Sequence, residues 1–411
     1  MKKCGYSFWG YLGDIKYDKE GKEASTPDGN AFYSWCIIRE LQKRGYEVTQ
    51  IMPDRDDIGY NQIIGNLLFD SWLRKERIQA YTGTKKINWW NIAIDVCKKE
   101  YLVHKDKTTL LLCIKNRVIH ILENECKDME FILHEYRMLI PGRNDLDSVI
   151  NKDWQPDYLI QECLFEYCIK SGKKLILFDL DYKLDYRGYV NLREKGCNAC
   201  IFELGTKWQR LCDDVESKLE TRQVYIPFDF DNINYFSDNR SKRDYSLIYV
   251  GNRYERDWCI DKYIPENLDK CIIYGNWLES NRDSKEKWPK LHFGERLQTR
   301  SMRNVYANSV ATILLAKEEY CMYGFMTARL LEAIFYGTVP FFIKEFGKET
   351  IYKYAGLWAE FLTVKSKDEL MERIKFLRNE EWMCEEILKY LREYLEFMDV
   401  RNFVDIIEEV K

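Results

Sequence analysis

No apolar run in the 411 residues approaches the roughly 20 consecutive apolar positions that a bilayer-crossing helix needs. The start, "MKKCGYSFWG", has two lysines but neither an apolar run nor a small-residue cleavage site, so no signal peptide is expected. Internal repeats and low-complexity tracts are also missing. The 14 cysteines follow no framework spacing. In a chain of this length without an export signal, they are read as reduced thiols in a cytoplasm, with no membrane partner. The one close pair is Cys197 and Cys200 in "GCNACIF". It sits where a helix-to-strand turn is expected, and no second pair has the spacing of a metal site. Histidine is scarce: His104, His120, His134 and His292 are the full set of 4, and none has a partner at ligand spacing. No metal site is expected. A net charge of −4 and a pI near 5.9 argue against a protein that coats nucleic acid non-specifically, but leave room for a local basic channel.

What is present is enough to build substantial cores. Hydrophobic residues make up 46% and charged residues 32%, and the length suits two or three domains. The first part alternates strand and helix patterns. A short strand is expected over residues 3–9, a helix from about Asn30 to Arg44 stopped by Gly45, and a strand from Glu47 to Met52. Residues 54–105, which include "KKINWWN", read as a less regular helical insertion. "FILHEYRMLI" reads as a strand. "PDYLIQECLFEYCIKSGKKLILFDLD" repeats the helix, glycine, strand pattern. "ACIFELG", a helix from about Lys207, and "VYIPF" close a first α/β domain over residues 1–227. The polar stretch 228–245 is the linker candidate. A second alternating series follows over 228–380, with strands at 246–251, 271–274, 291–293 and 310–315. Helices at 381–411 are expected to pack back on the first domain. Two βα series joined by one linker predict an α/β protein of two Rossmann-like domains facing a cleft, with ligands beyond the carboxyl ends of the strands.

Three segments place glycine or polar residues where such a ligand would lie. In "SLIYVGNRYERD", Gly251 allows close backbone approach, Asn252 follows it, and Arg253 and Arg256 are candidate phosphate partners. The plain alternative is a βα turn with solvated charges. In "YGFMTARLLEAIFYGTVPFFIK", Leu330, Leu331, Ile334 and Phe335 give a helical apolar face, and Gly337 stops the helix. Thr327 and Arg329 at its start are candidate donors to a diphosphate held by the first amides. Glu332, on the side of Arg329, is placed to accept from ribose hydroxyls. The plain alternative there is a surface Arg329–Glu332 ion pair. In "STPDGN", Gly29 lets a phosphate or sugar approach the backbone ahead of a helix. Together the three segments point to a nucleotide-diphosphate ligand.

This constellation resembles the GT-B fold glycosyltransferases. In that group a C-terminal strand ending in V-G is followed later by a helix of the type R-x-x-E-A and then G-x-x-P. Here the matching residues are Tyr249-Val250-Gly251, then Arg329, Glu332, Ala333, Gly337 and Pro340. The similarity runs through most of the chain in order. It is nearest to phage-encoded glycosyltransferases that modify virion DNA, on "GYSFWGYLGD", "STPDGNAFYSW", "EYRMLIPGRN", "LFDLDYKL", "YVGNRYERD" and "MTARLLEAIFYG". The resemblance implies a UDP-sugar donor, UDP-glucose first, no obligatory cofactor or metal, and a hydroxymethylated pyrimidine in DNA as acceptor. Many retaining members carry a second glutamate about two helical turns before the one that matches Glu332. That position is Gly324 here, and Glu318 and Glu319 lie too far upstream to replace it.

An inverting reaction needs a general base beside the acceptor hydroxyl. The candidates are Asp28, Glu135 and Asp181, with Asp14 and Asp179 behind them. Each is also a reasonable cap or turn residue. For a DNA acceptor, "TGTKKINWWN" interleaves Lys85 and Lys86 with Trp89 and Trp90, as a stacking and phosphate-contact surface would. Arg143, Lys183 and Arg187 add positive charge. The tryptophans are equally readable as core. Two rivals remain open at this point: a transferase acting on a bacterial glycan or small molecule, and a non-catalytic nucleotide-sugar binding module.

Overall fold

The computed structural model describes residues 1–7, 29–52, 85–88, 107–136, 156–179, 194–206, 220–233, 243–278, 284–297 and 299–411. The chain divides into two compact units. The first comprises Met1–Glu203, Cys212–Val224 and Phe403–Lys411, and the second comprises Leu204–Leu211 and Tyr225–Asn402. Residues 381–402 therefore lie in the second unit, and only the last stretch of chain returns to the first.

The first unit is built on a 7-stranded sheet. Its strands are β1 (Lys2–Ser7), β2 (Tyr46–Met52), β3 (Lys85–Asn88), β4 (Phe131–Tyr136), β5 (Lys174–Asp179), β6 (Ala199–Glu203) and β7 (Glu220–Gln223). They lie in the order β3-β2-β1-β4-β5-β6-β7, and every pairing is parallel. The chain winds outward from β1 to β3, then returns to β4 beside β1 and winds the other way. That reversal is the switch point of a doubly wound sheet, outside which ligands bind. Helices α1 (Gly29–Lys43), α2 (Lys107–Glu125) and α3 (Pro156–Ser171) make described crossovers. Strands covered on both faces need continuous apolar runs, and Leu175–Phe178 and Ala199–Phe202 are buried throughout.

Two expectations change here. Lys85–Asn88 is not helical but an edge strand, paired with Thr49–Met52 of β2. Pairing with the sheet overrides the local pattern, which four residues are too few to set. The closing strand is Glu220–Gln223 rather than "VYIPF", although Val224 still donates its N–H to the Glu203 carbonyl at 2.8 Å. The rest of the insertion, 53–84 and 89–106, lies outside the described residues, as does the helix expected from Lys207.

The last residues of the chain pack onto this sheet. Phe403 meets Phe178 and Phe202 edge-on, with ring centroids 4.9 and 5.4 Å apart. Glu408 accepts from Lys2, Tyr46 and Arg44 at 3.3, 3.1 and 3.0 Å. Burial raises its pKa, but these bonds from Arg44, Lys2 and Tyr46 outweigh that and hold it down at about 2.

The second unit carries a 6-stranded parallel sheet in the order β10-β9-β8-β11-β12-β13. Its strands are β8 (Tyr245–Val250), β9 (Cys271–Tyr274), β10 (His292–Gly294), β11 (Ser309–Leu314), β12 (Val339–Ile343) and β13 (Thr363–Val364). The switch point falls between β8 and β11. The helices used below are α4 (Asp257–Tyr263), α5 (Thr299–Ala307), α6 (Glu318–Tyr323), α7 (Arg329–Tyr336), α8 (Lys348–Ala355), α9 (Lys367–Asn379), α10 (Glu381–Tyr394) and α11 (Val400–Val410). Leu330, Leu331, Ala333, Ile334 and Phe335 of α7 are buried, as the pattern predicts. Gly337 ends α7 in the left-handed region at φ +92°, and the Thr338 N–H closes back on the Ala333 carbonyl at 2.8 Å. No helix among the described residues is long and apolar enough to cross a membrane.

Candidate functional site

The candidate site in the second unit forms where β8 ends beside the start of α7. β8 is a central strand with buried residues from Ser246 to Tyr249. The next residue, Gly251, is fixed from both sides. Its N–H donates to the Tyr274 carbonyl at 2.9 Å, and its carbonyl accepts from Trp277 Nε1 at 2.7 Å. Arg329, the first residue of α7, donates its Nε to the Val250 carbonyl, and its guanidinium lies 5.8 Å from the Tyr249 ring centroid. The two segments singled out in the sequence thus meet at one point. Glu332 sits one turn deeper in α7 and is half-buried. Its carboxylate makes no ion pair with Arg329. Burial raises its pKa, and the nearby Arg329 charge opposes that without cancelling it.

The other expected donor residues divide by what they touch. Arg253 grips Asp257 with two bonds of 2.8 and 2.6 Å, reaches Ser284 Oγ at 3.2 Å and stacks on Trp288 at 5.1 Å. The hydrogen bonds between them raise the Arg253 pKa and lower that of Asp257. Arg256 is buried and donates to the carbonyls of Asn252, Tyr254 and Leu315 at 3.3, 3.0 and 3.4 Å. It ties the loop after β8 to the end of β11. Arg253 and Arg256 therefore shape the turn, whereas Gly251 and Arg329 line its rim. Asn252 Oδ1 lies 3.5 Å from Arg296, an exposed cation with no motif around it in the sequence to mark it. Thr327 is half-buried just ahead of α7; its carbonyl accepts the Leu330 N–H at 3.2 Å.

Gly324, where a retaining relative would carry its earlier glutamate, has φ +67° and ends α6. A side chain there would run into the hydroxyls of Thr206 and Thr350, the latter 2.6 Å from the Cβ position. Backbone and packing both demand glycine, so no carboxylate can stand at that point.

In the first unit Glu135 is buried on β4 and accepts from Tyr6 Oη at 2.7 Å and Ser34 Oγ at 2.5 Å. Its neighbour His134 faces the opposite side of the sheet. The His134 Nδ1 is 2.9 Å from Ser7 Oγ, and its Nε2 is buried without a partner. Burial depresses its pKa to about 3, so it is a neutral ring at ordinary pH. Gly29 is the first residue of α1. Lys85 and Lys86 lie on the edge strand β3. Asp14, Asp28, Asp181, Trp89, Trp90, Arg143, Lys183 and Arg187 lie outside the described residues.

Among the described residues no group of three or more His, Cys, Asp or Glu is placed to hold a metal ion. Cys197 and Cys200 are free, buried thiols with pKa values pushed up by burial to about 11 and 12.

No family model matches the sequence, and no curated protein matches it either. Solved structures do match in fold. Two sheets of this order, each reversing at its central strands, are the Rossmann-like halves of the GT-B fold, and the chain has that fold. A BGT mutant of T4 phage in complex with UDP-glucose is similar over 99% of this chain and 99% of its own, with 12% identity and a TM-score of 0.57. A DNA-modifying enzyme, β-glucosyltransferase, solved in the presence and absence of uridine diphosphoglucose, is similar over 99% of each chain, with 13% identity and a TM-score of 0.56. A TarM mutant of S. aureus in complex with fondaparinux, α-GlcNAc-glycerol and UDP is similar over 100% of this chain and 99% of its own, with 10% identity and a TM-score of 0.57.

Proposed function

We propose that this chain is a glycosyltransferase that moves a hexose from a UDP-sugar to a hydroxyl group, the acceptor being a hydroxymethylated pyrimidine in DNA. The observation that carries the donor half is the meeting of Gly251 with Arg329 at the carboxyl end of β8. A glycine leaves the backbone open to a diphosphate, and the guanidinium and first amides of α7 are donors beside it. Glu332 is then the acceptor for the ribose hydroxyls. Fold neighbours solved with UDP-glucose or UDP are consistent with that donor. Gly251 and Arg329 hold the leaving diphosphate by hydrogen bonds and charge, so no obligatory metal enters the reading.

The acceptor half rests on the resemblance of sequence segments to phage enzymes, and on a fold neighbour described as DNA-modifying. In a duplex the target base must leave the stack before its hydroxyl can meet the donor sugar. The base that takes the hydroxyl proton is sought among Asp28, Asp181 and Glu135. A second reading, transfer to a bacterial glycan, is favoured by the TarM neighbour with its bound GlcNAc-glycerol. The deciding experiment is transfer of labelled glucose from UDP-glucose to hydroxymethylated and plain duplex DNA, with UDP release measured alongside. Label on the hydroxymethylated duplex alone supports the proposal. UDP release with label on a glycan acceptor and none on DNA moves the assignment to the second reading. UDP binding without release makes the chain a nucleotide-sugar sensor.

A further inference from the structure

Two phenols in the second unit, Tyr249 Oη and Tyr306 Oη, are buried without a hydrogen-bond partner. Their side chains are 1% and 0% exposed. An unpaired buried hydroxyl costs stability and calls for a reason. The donor site described above uses neither. Both nonetheless belong to its underside. Tyr249 Oη lies 2.5 Å from the Cβ position of Gly251. Tyr306, on α5, packs with Ile248 and Ala333, and its ring centroid is 6.1 Å from that of Tyr336. Ala333 and Tyr336 flank Glu332 along α7, so Tyr306 covers the turn that presents the carboxylate. Glu332 likewise accepts no hydrogen bond among the described residues, its only charged influence being Arg329. An unpartnered hydroxyl donor on α5 thus packs against the part of α7 that carries Glu332, close enough to feel its charge.

We propose that Tyr306 is a positioning residue for Glu332: its Oη donates to the carboxylate when a nucleoside diphosphate occupies the rim, and so fixes the rotamer that receives the ligand's hydroxyl pair. The inference rests on the donor-site reading above. A hydroxyl hydrogen turns freely to meet an acceptor, and a bond to an ionised carboxylate is among the stronger ones. Burial first, and then the Glu332 charge, hold the Tyr306 phenol far above its ordinary pKa, so it stays a donor throughout the working range. The groups that act on Tyr306 are Glu332, Arg329 and Tyr336 on α7 and Tyr249 on β8, and the charge that acts on Glu332 is Arg329. Arg303 stands one turn before Tyr306 on α5, and Arg392 of α10 reaches α7 at the Ile334 carbonyl, 3.1 Å away. Among these, Glu332 is the carboxylate, and burial raises its pKa.

The test is calorimetric titration of UDP into the wild-type chain, Tyr306→Phe and Glu332→Gln from pH 5 to 8.5. Wild-type affinity should fall on the acid side as Glu332 takes a proton. Tyr306→Phe removes the donor that favours the ionised form in the complex, so its acid limb should be shallower than that of wild type. At pH 8.5, where Glu332 is ionised, the variant should bind roughly 5–10-fold more weakly than wild type, with the two converging within about twofold on the acid side. Glu332→Gln should show no limb. Uniform weakening of Tyr306→Phe at every pH, or an unchanged profile, overturns the inference. A second readout uses only the wild-type chain: the ¹³C carboxyl resonance of Glu332 should titrate at lower pH when UDP is saturating, and an unmoved titration overturns the inference even if the variant fails to fold. Absence of any UDP binding by the wild type removes the donor-site reading and this inference with it. UDP binding with a limb as steep in Tyr306→Phe as in wild type removes the inference alone.

Discussion

A methyl group at Gly251 would lie 2.8 Å from both Cζ and Nε of Arg329 and 2.5 Å from Tyr249 Oη. A side chain at 251 fits only if the Arg329 guanidinium or the Tyr249 ring gives way. Gly251→Ala should therefore push Arg329 off the Val250 carbonyl. We expect a stability loss of about 1–3 kcal/mol, the usual cost of overpacking, and UDP affinity at least tenfold weaker. Arg329→Ala should weaken UDP by about 1.5–3 kcal/mol, the range for a charge-assisted bond. Calorimetry on folded variants checks both, and unchanged affinity in either would remove the rim from the donor site.

Glu332 should set function against stability. Its pKa is raised from the ordinary 4.5 by burial. The folded state therefore keeps a proton that the unfolded chain has lost, and stability falls as pH rises through the window between the two values. Glu332→Gln cannot ionise, so without ligand it should melt roughly 1–3 °C above wild type at pH 7.5 and show no gain at pH 4. The same variant should bind UDP more weakly. Thermal melts at the two pH values, with and without UDP, separate these effects.

Acid should act on the first unit through His134. Its folded pKa of about 3 lies below the ordinary 6.5, so the unfolded chain binds the extra proton. The corresponding stability is complete above pH 6.5 and drains away as pH falls towards 3. The total is on the order of a few kcal/mol for a fully buried ring. His134→Gln should flatten the decline in urea midpoint between pH 7 and 4. A variant whose midpoint falls as steeply as wild type would show that other groups carry the acid sensitivity.

Phe403 is the anchor of the chain's last residues on the first sheet, packed on Phe178 and Phe202. Phe403→Ala should destabilise that unit by about 3–5 kcal/mol, the range for a deleted core aromatic. Denaturant melting followed by hydrogen exchange at β5 and β6 tests this. Exchange in β5 that stays as slow as in wild type would mean the last residues of the chain are not needed there.

DNA binding should depend on salt. Each phosphate neutralised on a duplex contributes about −0.9 to the slope of log affinity against log salt. Lys85→Glu with Lys86→Glu should lower duplex affinity and reduce that slope, while UDP affinity stays the same. A wild-type chain that neither binds nor modifies either duplex at low salt would leave the glycan acceptor in place of DNA. Transfer that survives EDTA is also expected, and its complete, reversible loss would show a metal to be required.

Much of the fold was legible in the sequence because the signals were local. Helix α7 follows from the spacing of Leu330, Leu331, Ile334 and Phe335, and its end from Gly337. The buried strands follow from unbroken apolar runs such as Val339–Ile343. Gly251, Arg329 and Glu332 stood out for the same reason: each breaks an otherwise apolar pattern at the end of a strand or the start of a helix. "KKIN" misled because four residues carry too little pattern of their own, and only the neighbouring strand β2 makes them a strand.

What the residue order determined by itself was therefore the alternation of strands and helices, the doubly wound class, and the residue types gathered at strand ends. Tertiary structure decided which of those residues meet. It turned Arg253 towards Asp257 and Arg256 towards loop carbonyls, while leaving Arg329 against Gly251. It also enclosed Tyr249 and Tyr306 beside Glu332, although nothing in their local sequence marks them. The physical reason is range. Periodicity and capping act within a few residues, whereas hydrogen bonds, burial and charge act between any groups that the packed sheet brings within a few ångströms.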